Sequence, residues 1–134
     1  MVRVAAAHDQ PLFARLLRSA LAEQGAELVG IARSAAEALS LVAELEPDVL
    51  LLDLALPGAL DVLQVLRVRG PPVQVVALAS KEAADERRRA AEAGVNAFVR
   101  ADAEPAEVAQ ALQLLGQLRT TAAGPRRAPP PSPG

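Results

Sequence analysis

Three side chains at the ends of apolar runs carry most of the chemistry available to this chain. His8 and Asp9 follow the run Val2–Ala7, and Asp53 closes the run DVLLLD. Two carboxylates brought together repel each other and favour a cation between them. Mg²⁺ suits such a pair, because it takes one or two carboxylates and fills its other positions with water or phosphate oxygens. An aspartate at a strand end is also a common turn or cap residue, and Asp53 taken alone is compatible with that role. No set of base, nucleophile and oxyanion donors can be assembled from the remaining residues, so the chain is not expected to be an enzyme.

The elements that would position these residues are legible. Short apolar runs alternate five times with longer helical patterns, as βα units around a parallel sheet do. The predicted strands are Val2–Ala7, Glu27–Ala32, Asp48–Asp53, Val73–Ala79 and Asn96–Arg100. Apolar residues at helical spacing predict helices over Leu12–Gln24, Ala35–Glu46, Ala59–Arg69, Glu82–Ala93 and Pro105–Leu118. The third strand is apolar until its final aspartate, as befits a central strand covered on both faces. Pro105 suits the first turn of the last helix, with Asp102 or Glu104 as its cap. A five-unit βα sheet has either a continuous or a switched strand order, and the switched, doubly wound α/β order 2-1-3-4-5 opens a crevice beyond the carboxyl ends of strands one and three. His8, Asp9 and Asp53 would meet there.

Composition narrows the partners. The chain has 134 residues, a formal charge of -2, no cysteine and two aromatic residues, Phe13 and Phe98. One hydrophobic core of small aliphatics is expected, without disulfides or thiolate metal sites. Net negative charge and the lack of stacking platforms argue against nucleic acid as a direct partner. No apolar stretch approaches the roughly 18 residues of a membrane span, and nothing resembles a signal peptide, so a cytoplasmic location is expected. All but Lys81 of the 14 basic residues are arginine. With abundant alanine this suggests a GC-rich bacterial source. The last sixteen residues, RTTAAGPRRAPPPSPG, hold five prolines and no large apolar side chain. They read as a disordered tail or linker over 119–134, after one domain over 1–118.

Three segments in order resemble the receiver domain of two-component response regulators, in the subfamily that usually precedes a LuxR-type helix-turn-helix. HDQPLFARLLRSAL is similar to that family's D-D-H-P-L-F-R opening, and DVLLLDLALPG to its phosphorylation strand. AGVNAFVRADAEPAEVAQAL is similar to its A-G-A-x-G-Y-L-x-K-D-x-x-x-E-L ending. The resemblance covers about residues 2–118 and implies a flavodoxin-like fold. It also implies that Asp53 accepts a phosphoryl group from a histidine kinase, with Asp9, Asp53 and the Ala55 carbonyl as Mg²⁺ ligands.

The resemblance breaks at several positions. His8 stands where a further acid is expected, and imidazole is a poor Mg²⁺ ligand. It would either offset the two carboxylates in place of the metal or point into solvent. The hydroxyl that ends strand four falls on Ala79, and only a one-residue bulge would bring Ser80 into its place. The lysine that ends strand five falls on Ala101; Arg100, one residue early, belongs to the opposite face. Phe98 matches the aromatic that rotates on phosphorylation, although a core aromatic explains it as well. Asp61 reads as an acid in a helix's first turn, and the charged run around Arg87–Arg89 as a solvated face.

The implied function is an atypical receiver: a signalling module that retains its acceptor, binds Mg²⁺ weakly, and controls a transcriptional effector without depending on phosphorylation. Its expected partners are a histidine kinase, a second copy of itself, and DNA only through a domain absent from this chain. A Mg²⁺-dependent receiver phosphorylated at Asp53 remains open. So does a module binding a small ligand at the same crevice, although no glycine-rich phosphate loop follows the first strand.

Overall fold

The computed structural model describes residues 1–122. Five βα units follow one another: β1 (Arg3–Ala7), α1 (Pro11–Glu23), β2 (Glu27–Ala32), α2 (Ala35–Leu45), β3 (Val49–Asp53), α3 (Ala59–Arg69), β4 (Gln74–Ala79), α4 (Ala84–Glu92), β5 (Ala97–Arg100) and α5 (Pro105–Ala122). The strands form one parallel sheet of order β2-β1-β3-β4-β5, as expected.

Alternation along the strands divides the core into two layers. Ala5, Ala7, Leu50, Leu52, Val75, Ala77 and Ala79 face α2, α3 and α4, where they meet Val42, Leu63, Leu66 and Ala90. Val4, Ala6, Val49, Leu51, Val76 and Leu78 face α1 and α5, against Leu17, Leu21, Val108 and Leu112. Val49, Leu50, Leu51 and Leu52 are wholly inaccessible, which makes β3 the centre of both layers.

Two helix boundaries depart from expectation by more than one residue. α4 starts at Ala84 and not Glu82, because Ser80–Ala83 close a turn in which Ala83 N–H donates to the Ser80 carbonyl at 3.1 Å. α5 continues to Ala122, past the expected end at Leu118. Arg119–Ala122 contain no breaker, and the first stop signals are Gly124 and Pro125. The rest of the expected tail lies outside the described residues. The cap of α5 is also resolved: Glu104 N–H donates to Glu107 Oε1 at 3.2 Å, whereas Asp102 is engaged by Arg100.

The amino edge of the sheet is pinned by two arginines. Arg3 Nη1 donates to the carbonyls of Leu45 and Glu46 at 2.8 and 3.0 Å, placing a cation at the C-terminus of α2 where the helix dipole favours it. Arg67 donates to the carbonyls of Gly94 and Val73 and to Asn96 Oδ1, at 3.0, 3.1 and 2.9 Å. Asn96 Oδ1 also accepts from Val75 N–H at 2.7 Å, tying α3 to the starts of β4 and β5. Desolvation pushes the Arg67 pKa below its ordinary value.

α5 lies close on β1 because it has no side chain at Gly116, where an added Cβ would overlap Cγ1 of Val2. Helix propensity alone favours Gly116→Ala by about 1 kcal/mol. Overpacking opposes it by about 1–3 kcal/mol, so Gly116→Ala is expected to destabilise the domain. Urea denaturation of Gly116→Ala, with Val2→Ala added to restore space, checks this: the double variant should recover part of the loss.

Candidate functional site

β1 and β3 are paired neighbours with Ala7 opposite Leu52, so the residues that follow them emerge side by side at the carboxyl edge. The order reversal at β1 leaves that edge open between two diverging connections. His8, Asp9 and Asp53 present ligand-type atoms all within 4.8 Å of one another. The convergence expected of these three residues is therefore observed.

His8 does not point into solvent. Its backbone N–H extends the β1–β2 ladder by donating to the Ala32 carbonyl at 2.9 Å. Its ring stacks on Phe13 of α1, with centroids 4.2 Å apart and planes inclined by 20°. Nδ1 accepts the Gln10 N–H at 3.2 Å, and Nε2 lies 3.7 Å from Asp53 Oδ2. The side chains of His8 and Asp53 are only 11% and 14% exposed, whereas Asp9 is exposed.

Asp53 shapes the turn that leaves β3. Its Oδ1 accepts the Ala55 N–H at 3.0 Å, and its carbonyl accepts the Leu56 N–H at 3.1 Å. Leu54 N–H still donates to the Leu78 carbonyl of β4, so the chain departs from the sheet at Ala55. Gly58, at φ +82°, completes the turn into α3 in a conformation that glycine adopts without steric cost. Asp61 lies in the first turn of that helix, as expected.

The other expected positions supply no donor to this crevice. Ala79 is buried, and β4 pairs on both sides without a register shift, so Ser80 is not carried into its place by a bulge. Ser80 is exposed, and its carbonyl accepts from Arg87 Nη1 at 2.8 Å. Ala101 continues β5, donating its N–H to the Ala79 carbonyl at 3.0 Å. Arg100 is exposed and grips Asp102 at 2.7 and 3.0 Å. Hydrogen bonding to Arg100 is the main cause that holds the Asp102 carboxyl below its usual range. Lys81 adds a smaller Coulombic contribution to Asp102.

Phe98 is not a core aromatic. It is 39% exposed on the face of β5 nearest α4, and borders a cavity of about 460 Å³ with Glu104 and Glu107. The reason is the composition of α4, ADERRRAAE, which offers only Ala90 to the core. The charged run of that helix is solvated and internally paired, Arg88 and Arg89 with Asp85 and Arg88 with Glu92.

The donor set fits Mg²⁺ poorly. Asp9, Asp53 and the Ala55 carbonyl are the oxygen ligands a hard cation takes. His8 presents nitrogen, and both Asp53 oxygens already face protein groups, Oδ1 the Ala55 N–H and Oδ2 the His8 ring.

A doubly wound sheet whose order reverses at β1 belongs to the class of folds that bind ligands in the crevice beyond the carboxyl ends of the strands. Within it, residues 4–113 match the family model for the response regulator receiver domain, and the chain belongs to that family. It is 40% identical over 147 residues to protein-glutamate methylesterase/protein-glutamine glutaminase 5 of Myxococcus xanthus, covering 98% of this chain and 41% of that protein. It is 32% identical to the nitrate/nitrite response regulator NarP of Escherichia coli over 78% of this chain and 50% of that protein. Among solved structures, the receiver domain of NarL from Mycobacterium tuberculosis superposes with a TM-score of 0.78 at 29% identity, covering 87% of this chain and 96% of that one. The chain thus spans about half the length of the curated relatives it matches. Among the described residues, no helix is long and apolar enough to cross a membrane.

Sequence reasoning missed the role of Gln10, whose amide fixes the His8 ring, and of Phe13 as its stacking partner. Their closeness in sequence to His8 was the available signal. It also missed Arg3 and Arg67, for which no local pattern exists.

If Asp53 holds the turn through Oδ1, Asp53→Ala should expose the Ala55 amide. One hydrogen bond is worth about 1 kcal/mol. Amide exchange at Ala55 is therefore expected to quicken roughly five- to tenfold, while Leu54, bonded to Leu78, keeps its wild-type rate. Hydrogen exchange followed by NMR measures both.

Proposed function

We propose that this chain is an atypical receiver module that retains the phosphoacceptor Asp53 and passes on its signal without depending on phosphorylation. The observation that supports the reading is that Ala79 and Ala101, the positions that the resemblance assigns to a hydroxyl and an ammonium, carry no side-chain donor, while Arg100 is tied to Asp102. Phosphoryl transfer to a carboxylate is accelerated by neutralising charge on the equatorial oxygens. With those donors missing, transfer to Asp53 is slow and the modified state gains little over the unmodified one. A ligand moves an equilibrium only by its differential interaction with the two states.

In this reading Asp9, Asp53 and the Ala55 carbonyl hold Mg²⁺ weakly, and a histidine kinase is an occasional donor. Output runs through association with a second copy and through an effector that binds DNA, carried on a longer chain of the kind that NarP's length illustrates. The module itself catalyses no reaction and works in the cytoplasm. The methylesterase activity named for the Myxococcus protein belongs to a chain of which this one spans 41%. The convergence of Asp9 and Asp53 favours the second reading, a receiver still phosphorylated in the ordinary way.

The test combines loss and restoration. Wild type and Asp53→Asn are expected to associate equally, and to bind DNA equally in the full-length protein, with or without a small phosphodonor and Mg²⁺. Ala79→Thr with Ala101→Lys should raise the rate of phosphodonor labelling at least tenfold, while Arg100→Lys should not, because it faces away. Stoichiometric labelling of the wild type with a gain in association that Asp53→Asn lacks would establish the second reading instead.

A further inference from the structure

We infer that the His8 ring, oriented by the Gln10 backbone N–H, turns its N–H edge to Asp53 and takes the place at this carboxylate where a divalent cation would act. The inference deepens the reading above, in which Asp53 is the functional carboxylate of the crevice, and gives that carboxylate a standing protein partner.

The polarity of the ring is set by its neighbours. A neutral imidazole has one donor nitrogen and one acceptor nitrogen. Nδ1 faces the Gln10 N–H at 3.2 Å and must accept there, so the proton resides on Nε2. Nε2 is the nitrogen that faces Asp53 Oδ2, at 3.7 Å, longer than a hydrogen bond but with the N–H edge of the ring turned to the carboxylate. Reversing the ring would put carbon atoms in both positions and lose both interactions. The Phe13 ring, stacked at 4.2 Å, restrains the tilt of the imidazole, and the pair sits in a largely covered setting, 11% and 14% exposed.

This polarity is opposite to that of a metal ligand. A ligating histidine turns a lone pair to the ion and donates its other N–H to a carbonyl or carboxylate. Here ligation through Nε2 would require a proton on Nδ1, pointing at the Gln10 N–H, so that two donors would collide. The second oxygen of Asp53 is also engaged, accepting from Ala55 N–H at 3.0 Å. A divalent ion held by Asp9, Asp53 and the Ala55 carbonyl must therefore compete with His8 for Asp53 and gains no ligand from the ring. His8 sets the metal affinity of the site by competing with the ion for Asp53, not by binding it.

The experiment uses the whole chain at a pH of about 8, above the ordinary titration range of histidine. Long-range ¹H–¹⁵N NMR correlations of the His8 ring are expected to show the proton on Nε2 without metal. Mg²⁺ alone is then added to wild type, His8→Asp and His8→Gln, with the amides of residues 8–10 and 53–55 as readout. His8→Asp, which turns the donor into a third carboxylate, should bind Mg²⁺ at least tenfold more tightly than wild type. His8→Gln, which keeps an N–H donor, should stay as weak as wild type. A ring proton on Nδ1, or wild-type binding as tight as that of His8→Asp, overturns the inference. So does Zn²⁺ or Mn²⁺ ligated through Nε2. Should His8→Asp fail to fold, the tautomer of the wild-type ring decides alone. None of these readouts involves phosphorylation, so failure here is distinguishable from failure of the atypical-receiver reading.

Discussion

A carboxylate cannot remain charged inside an apolar sheet without a partner, and that constraint places the whole site. Val49 to Leu52 of β3 are fully covered by helices on both faces. A bare charge anywhere along them would carry a desolvation cost of several kcal/mol. Asp53 is the first position at which the strand reaches the carboxyl edge, and there its oxygens meet a backbone amide and the His8 ring. Because β1 is the strand paired with β3 at this point, its own end must deliver His8 and Asp9 to the same place.

The two edges of the sheet are built differently. At the amino edge, Arg3, Arg67 and Asn96 join helices to strands through carbonyls and amides far apart in sequence. At the carboxyl edge, the interactions around Asp53 are local and few, and the ends of β4 and β5 contribute alanines. α4 covers β4 and β5 thinly, since its residues are mostly charged and paired with one another, which leaves Phe98 exposed. The side of the domain that would report a change at Asp53 therefore has that carboxylate at one end and a loosely covered aromatic at the other. No hydroxyl or ammonium from Ala79 or Ala101 connects them.

The βα units and their central strand were legible because they follow from patterns with a physical period, while the strand order, and with it the meeting of His8, Asp9 and Asp53, came from the resemblance of three motifs to a receiver domain. Alternation between apolar runs and helical spacing marks βα units, and an uninterrupted run such as VLLL marks the central strand. That Ala79 and Ala101 carry no donor was equally legible, since a missing side chain needs no geometry to recognise. What could not be read was orientation. Nothing in the run HDQPLF says that the Gln10 amide faces Nδ1 or that Phe13 stacks on the ring, because a turn's backbone direction is settled only when the whole loop closes. Phe98 stayed open between a core and an exposed aromatic for a related reason: its exposure depends on how little a separate helix offers. The end of α5 was misplaced because hydrophobic periodicity stops at Leu118, whereas helix termination waits for glycine or proline.

The central claim is that a phosphoryl-like group on Asp53 finds too few donors to move the domain. It is tested most directly by adding beryllofluoride, a non-covalent phosphoryl mimic, with Mg²⁺ to the ¹⁵N-labelled chain and comparing amide spectra. The expected result is shifts confined to residues near 8–10 and 53–58, with β4, α4 and β5, including Phe98, unchanged at saturation. Saturable shifts running through Ala79, α4 and Phe98 would contradict it, because they would show the far side of the domain responding to Asp53 without the hydroxyl and the lysine.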